Sequence, residues 1–297
     1  MDGGARGPAL WVVPCDTSEI MRFEDYPPQE PPSDNGRIYG DKVMQLGAGL
    51  EGNERRYGED AYQSLAIFRA PAGNGTLLAV MHGGGWTNGY KEWMAFMAPA
   101  LTAAGVSFAT IGYRLAPAHL FPAGIDDAIA ALAWLHANAA TFDYDPARIF
   151  LGGHSAGGHY AALLAVRRDW QAGAGLPGDV VRGCLPISGV YDFSAQSGLS
   201  AWPRFLGAVG NEKLASPIDR IEGKPPPFLI AHGDEDFPHL IKQAERMEAV
   251  LRAAGGDVER VVLKGRNHFT ASYAGGEPAG PWVPRALDWM ERMSKTR

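Results

Sequence analysis

Three residues in this 297-residue chain have the types and the order needed to activate a weak nucleophile: Ser155, Asp236 and His268. Ser155 is the centre of Gly153-His154-Ser155-Ala156-Gly157, a G-x-S-x-G pentapeptide. An apolar run, Ile149 to Leu151, precedes it and an alanine- and leucine-rich segment follows from Ala156, so the serine is expected on a sharp strand-to-helix turn. Such a turn exposes the hydroxyl and sets the next backbone N–H beside it. A serine hydroxyl attacks poorly until a base takes its proton, so a carboxylate and a histidine are required further along. Phe228 to His232 is an apolar run ending in Asp234-Glu235-Asp236, and Val258 to Leu263 is another, followed by a loop that carries His268. Ser155 would attack a carbonyl carbon, His268 would take and return the proton, and Asp236 would orient His268 and stabilise its charged form. Asp236 is favoured over Asp234 as the acid, and mutation of each separates them.

The negative oxygen created by that attack needs N–H donors already aimed at it. Met81-His82-Gly83-Gly84-Gly85-Trp86 ends an apolar run, and its glycines let backbone amides approach a ligand with no Cβ in the way, alongside the N–H of Ala156. Neither phosphate-cradle pattern fits: no Gly-Lys-Ser/Thr follows the glycines, and G-x-G-x-x-G with a downstream acid is missing. His154 and His159 are five apart, which puts them on different faces of a helix, and no His-Glu-x-x-His occurs, so neither a metal nor another cofactor is expected. Trp86 and Phe269 adjoin these residues and are the aromatics expected near substrate.

To hold these groups the chain must alternate strands and helices. Strands are expected at Tyr62 to Phe68, Thr76 to Met81, Val106 to Ile111, Arg148 to Leu151, Val181 to Ser188, Phe228 to His232 and Val258 to Leu263. Helices are expected at Lys91 to Ala104 with a kink or restart at Pro99, at Ile125 to Asn138, from Ala156, at His239 to Ala254 and around Val283 to Arg292. That alternation predicts an α/β fold with a mostly parallel sheet covered on both sides by helices. Residues 1–58, with four prolines crowded between Pro27 and Pro32, are expected to be an irregular N-terminal arm that wraps the domain or covers the mouth of the site. Residues 59–297 are expected to be the α/β domain, and 190–224, with Trp202 and Phe205, a small cap over the carboxyl edge of the sheet.

The net charge of −6 comes with no basic block, so neither nucleic acid nor an anionic membrane is an expected partner. Two cysteines, Cys15 and Cys184, are too few for a disulfide framework. With no signal-like start and no run long enough to span a bilayer, a cytoplasmic location is expected; a homo-oligomer stays open.

On these residues the chain resembles the α/β-hydrolase fold over roughly residues 60 to 290. His82-Gly83-Gly84-Gly85-Trp86, the serine pentapeptide, Tyr113-Arg114-Leu115-Ala116-Pro117, Phe121-Pro122-Ala123 and Asp126-Asp127-Ala128 resemble the hormone-sensitive-lipase-like carboxylesterases. That resemblance implies an oxyanion hole made by the N–H groups of Gly84, Gly85 and Ala156. His154 and His159 depart from the family's usual Asp before the nucleophile and Asn four residues after it. Gly-His-Ser-Ala-Gly, Ile187-Ser188-Gly189-Val190-Tyr191-Asp192 and His232-Gly233 with Asp236, Phe237-Pro238 and Gln243 look more like kynurenine formamidase and its bacterial esterase relatives. The expected function is hydrolysis of a small or medium carboxylic ester by a serine hydrolase, with arylformamidase as the alternative on the same triad. A non-catalytic ligand-binding module on the same fold is the alternative of another class.

Overall fold

Short apolar runs rich in β-formers alternate with alanine- and leucine-rich segments, and each becomes a strand or a helix accordingly. The computed structural model describes residues 23–199 and 203–295. Its strands are β1 (Asn53–Arg56), β2 (Ser64–Phe68), β3 (Leu77–Met81), β4 (Ser107–Ile111), β5 (Ile149–His154), β6 (Gly183–Ile187), β7 (Phe228–Glu235) and β8 (Val258–Asn267). They form one sheet in the order β1-β2-β4-β3-β5-β6-β7-β8. The β1–β2 and β2–β4 pairs are antiparallel and the five pairs from β4 to β8 are parallel.

Helices cover both faces. α3 (Ala123–Ala137), α4 (Ala156–Val166) and α7 (Pro238–Ala253) pack on one; α1 (Asp34–Leu46), α2 (Ala98–Thr102), α8 (His268–Tyr273) and α9 (Val283–Lys295) pack on the other. The strands serve both layers with the two-residue period of a pleat: Leu77, Ala79 and Met81 of β3 join the first core, Leu78 and Val80 the second. Every residue of α4 is buried, which is why this helix reads as apolar on all sides. A 3-10 segment, Lys91–Met97, precedes α2, which restarts with Pro99 in its first turn, as the expected kink requires.

The irregular arm expected over residues 1–58 is corrected where the structure describes it. Within it lie α1, N-capped by Ser33 accepting from the Gly36 N–H, and β1 at the sheet edge. α1 buries only Tyr39, Gly40 and Val43, an apolar stripe too narrow to stand out among its glycines and charges. β1 is Asn-Glu-Arg-Arg, an edge strand without apolar alternation. Its Glu54 lies 3.2 Å from the Lys91 ammonium, which is fully buried, meets Glu92 at 2.6 Å and donates to the Tyr26 hydroxyl oxygen at 2.8 Å. Residues 1–22, Cys15 among them, lie outside the described residues.

Between β6 and β7, where the cap is expected, the chain forms two short helices, α5 (Pro203–Leu206) and α6 (Asn211–Ala215). Phe205 is buried there; Trp202 lies outside the described residues. Among the described residues no helix is long and apolar enough to cross a membrane.

Candidate active site

β3, β5, β7 and β8 are parallel, so their carboxyl ends share one edge, and the groups singled out from the sequence sit there. Ser155 follows β5 at φ 54°, ψ −117°, a conformation that costs a non-glycine residue roughly 1–3 kcal/mol and persists only because its surroundings hold it. The Ser155 N–H donates to Ile187 O at 3.0 Å on one side, and its carbonyl accepts the His159 N–H at 2.9 Å as α4 begins. Gly157 is required by close approach: a Cβ there would lie 2.1 Å from Met81 O at the end of β3.

The Ser155 Oγ lies 2.9 Å from His268 Nε2, and His268 Nδ1 lies 2.9 Å from Asp236 Oδ1. A carboxylate can only accept, so Nδ1 carries the proton and Nε2 is left free to accept from the serine hydroxyl. β7 and β8 run on past their expected ends, pairing Glu235 with Asn267, and this extension carries the carboxylate and the imidazole out to the nucleophile. His268 opens α8 as its first residue, with Asn267 as N-cap in a reciprocal capping box with Thr270. Asp236 is buried and also accepts from the Ser188 hydroxyl at 2.5 Å and the Phe237 N–H at 2.7 Å. Burial pushes its carboxyl up, but the hydrogen bond and charge of His268, with the other two donors, hold it below the usual carboxylate range. Asp234 is turned elsewhere, accepting the Gly265 N–H at 2.7 Å and facing Lys264 at 3.5 Å.

The glycine loop after β3 lies against the nucleophile, since a Cβ on Gly83 would be 3.2 Å from that of Ser155. Gly84 has φ 120°, and a Cβ there would stand 2.0 Å from Asn88 O, so no other residue fits without moving the loop. At Gly85 a Cβ would meet open space. Among the described residues no hydrogen-bond acceptor takes the N–H of Gly84, Gly85 or Ala156. Behind the loop, the Tyr113 hydroxyl donates to His82 O at 2.8 Å and His82 Nδ1–H donates to Gly83 O at 2.7 Å.

A family model described as BD-FAE matches residues 66–251, well over half of the chain. The chain belongs to the BD-FAE family. Among curated proteins, this BD-FAE chain is 33% identical to Esterase LipC of Mycobacterium tuberculosis over 236 residues, covering 71% of this chain and 58% of that one. It is 37% identical over 246 residues to Carboxylic ester hydrolase LipN of the same organism, covering 71% and 62% respectively. The chain spans about half the length of the curated relatives it matches. An esterase structure from Pyrobaculum calidifontis superposes with a TM-score of 0.72 at 19% identity, covering 91% of this chain and 96% of that one, which shows the α/β-hydrolase fold.

Two motifs quoted from the BD-FAE chain for its resemblance prove to be one structure. Arg114, through its backbone N–H and its guanidinium, grips the buried Asp127 at 2.7–3.0 Å, joining Tyr113-Arg114-Leu115-Ala116-Pro117 to α3. Gln243 Oε1 accepts the N–H groups of Tyr191 and Asp192 at 2.7 and 3.0 Å, fixing the turn that leaves β6.

Trp86, expected near substrate, is buried at φ 65°. Its ring stacks on Phe205 of α5 at 4.3 Å, and its Nε1–H donates to His159 Nδ1 at 3.1 Å. His159 Nε2–H donates in turn to Ala215 O of α6 at 2.8 Å, so one neutral ring ties the glycine loop to the segment expected as the cap. Phe269 stays half-buried beside His268, their rings 5.4 Å apart. Phe237, quoted above only as part of the formamidase-like stretch and not as a pocket residue, lies 4.8 Å from the His268 ring and is 43% exposed. Burial lowers His82 and His159 to about 4 each, so both rings are neutral near pH 7 and act as fixed donors and acceptors.

Proposed function

We propose that this chain is a serine hydrolase that cleaves a small or medium carboxylic ester through an acyl-enzyme on Ser155. The observation that carries the reading is the unbroken line from Asp236 through His268 to Ser155, both links 2.9 Å, with the serine on a strained turn. In the first step Oγ attacks the ester carbonyl carbon as its proton passes to His268 Nε2. Asp236 keeps Nδ1–H oriented and offsets the charge of the imidazolium. The developing oxyanion is taken by the N–H groups of Gly84, Gly85 and Ala156, which meet no competing acceptor among the described residues. Collapse expels the alcohol, protonated by His268, and leaves the acyl group on Ser155. Water, deprotonated by His268, then attacks that acyl group and releases the acid. The names of the curated relatives, esterase and carboxylic ester hydrolase, support the ester as substrate class.

The same machinery would cleave an N-formyl aromatic amine, so substrate preference is the test of this reading. With purified protein, kcat/KM for a short-chain p-nitrophenyl ester is expected to exceed that for N-formylkynurenine by at least about 10-fold, ~1.4 kcal/mol in transition-state stabilisation. A preference of that size for the formamide would replace the ester reading with an arylformamidase. Tight binding of both substrates with turnover of neither would make the chain a ligand-binding module.

A further inference from the structure

His154, immediately before the nucleophile, is 2% exposed and touches neither the serine nor the carboxylate by hydrogen bond. Its Nε2 lies 2.9 Å from the backbone carbonyl oxygen of His268. A carbonyl oxygen cannot donate, so Nε2 carries the proton and Nδ1 is an acceptor. The group placed to donate to Nδ1 is the Tyr39 hydroxyl of α1, at 3.3 Å. The Ser272 hydroxyl, one turn beyond His268 in α8, lies 3.1 Å from the Tyr39 oxygen and 2.9 Å from Phe269 O, the two acceptors that share its one proton. The result is a closed circuit: from α8 at Ser272 to Tyr39 of α1, to His154 at the end of β5, and back to α8 at His268. All four residues are buried, so water does not compete for these bonds.

We propose that Tyr39 and His154 are positioning residues for the base: through the His268 carbonyl they fix where α8 begins relative to Ser155, and so hold Nε2 within reach of the hydroxyl. The proposal rests on the serine-hydrolase reading. It also gives the N-terminal segment a part in the chemistry, since Tyr39 reaches the site from residues expected to be an irregular arm. Separation of base and nucleophile matters because proton transfer needs a heavy-atom distance of roughly 2.6–3.2 Å, and α8 is only six residues long. Nδ1 needs a donor as much as Nε2 needs an acceptor. Without Tyr39 OH the ring can take the other tautomer, which turns a lone pair toward the carbonyl.

Tyr39→Phe keeps the ring packed on Trp93, Phe269 and Tyr273 and removes only the hydroxyl. The expected result is a fall of about 10-fold in kcat with KM within about twofold, ~1.4 kcal/mol by the transition-state relation. The second-order rate of Ser155 labelling by a fluorophosphonate should fall by the same factor, in protein whose thermal midpoint drops by no more than about 5 °C, the cost of one buried acceptor left unpaired. His154→Gln, which keeps an amide donor for the carbonyl, should label faster than His154→Leu by a similar factor, and this pair decides the matter if Tyr39→Phe does not fold. Folded Tyr39→Phe that labels at the wild-type rate, or equal rates for the two His154 variants, overturns the proposal while leaving the hydrolase reading intact. Wild-type protein that is not labelled at all overturns the hydrolase reading itself, and the positioning role falls with it.

Discussion

Ser155→Ala is expected to lower kcat/KM for the p-nitrophenyl ester by at least about 10⁴-fold, the scale on which removal of a nucleophile from a coupled triad is felt. The reason is geometric. Among the atoms brought to the carboxyl edge of the sheet, the Ser155 Oγ is the one in hydrogen-bond contact with the free nitrogen of His268. Alanine at 155 leaves that nitrogen without its donor and leaves the carbonyl carbon nothing to bond. The fold should survive, because the removed atom is not the one that holds the turn: the backbone bonds from Ser155 N to Ile187 O and from His159 N to Ser155 O remain. Steady-state assays beside a thermal melt check both halves. An alanine variant that is folded and retains a tenth of the activity would put the nucleophile elsewhere.

The second large effect separates two carboxylates only two residues apart. Asp236→Asn should cost about 10³–10⁴-fold in kcat, because an amide can present its NH₂ to Nδ1, which leaves the wrong tautomer facing the serine. Asp234→Asn should stay within about twofold, since Asp234 meets the Gly265 N–H and Lys264 and not the imidazole. Measured together under one condition, the two variants provide their own control. Equal losses, or a larger loss at Asp234, would contradict the geometry of the β7 end.

The sequence favours Asp236 over Asp234 without a local pattern that decides between them. Asp234 and Asp236 both follow the same apolar run, and a two-residue strand period keeps both on one side, so composition cannot separate them. Which one reaches the histidine depends on the extension of β7 and β8 to Glu235 and Asn267 and on the irregularity between Gly233 and Glu235, which no local pattern announces. The elbow was legible because its demands are local: a strand, a turn that needs Gly157, and an apolar helix. α1 and β1 were not, because Tyr39 and Val43 form a stripe of two and Asn-Glu-Arg-Arg has no apolar face. Their place is set by distant partners, His154 for Tyr39 and the buried Lys91 for Glu54. The same holds for Ser188, whose hydroxyl steadies Asp236 across 48 residues of chain. His154 and His159 were visible as departures from a resembled pattern. What they do became readable only when the partner of each ring nitrogen was known.

The central claim is that an acyl group resides on Ser155 during turnover, and rapid quenching tests it most directly. Wild-type protein mixed with excess p-nitrophenyl ester is quenched in acid within milliseconds, and its mass is measured intact and after digestion. The account predicts a mass increase equal to the acyl group, located on the peptide that contains Ser155 and missing from Ser155→Ala. An acyl group found on any other residue in protein that is turning over the ester would contradict it.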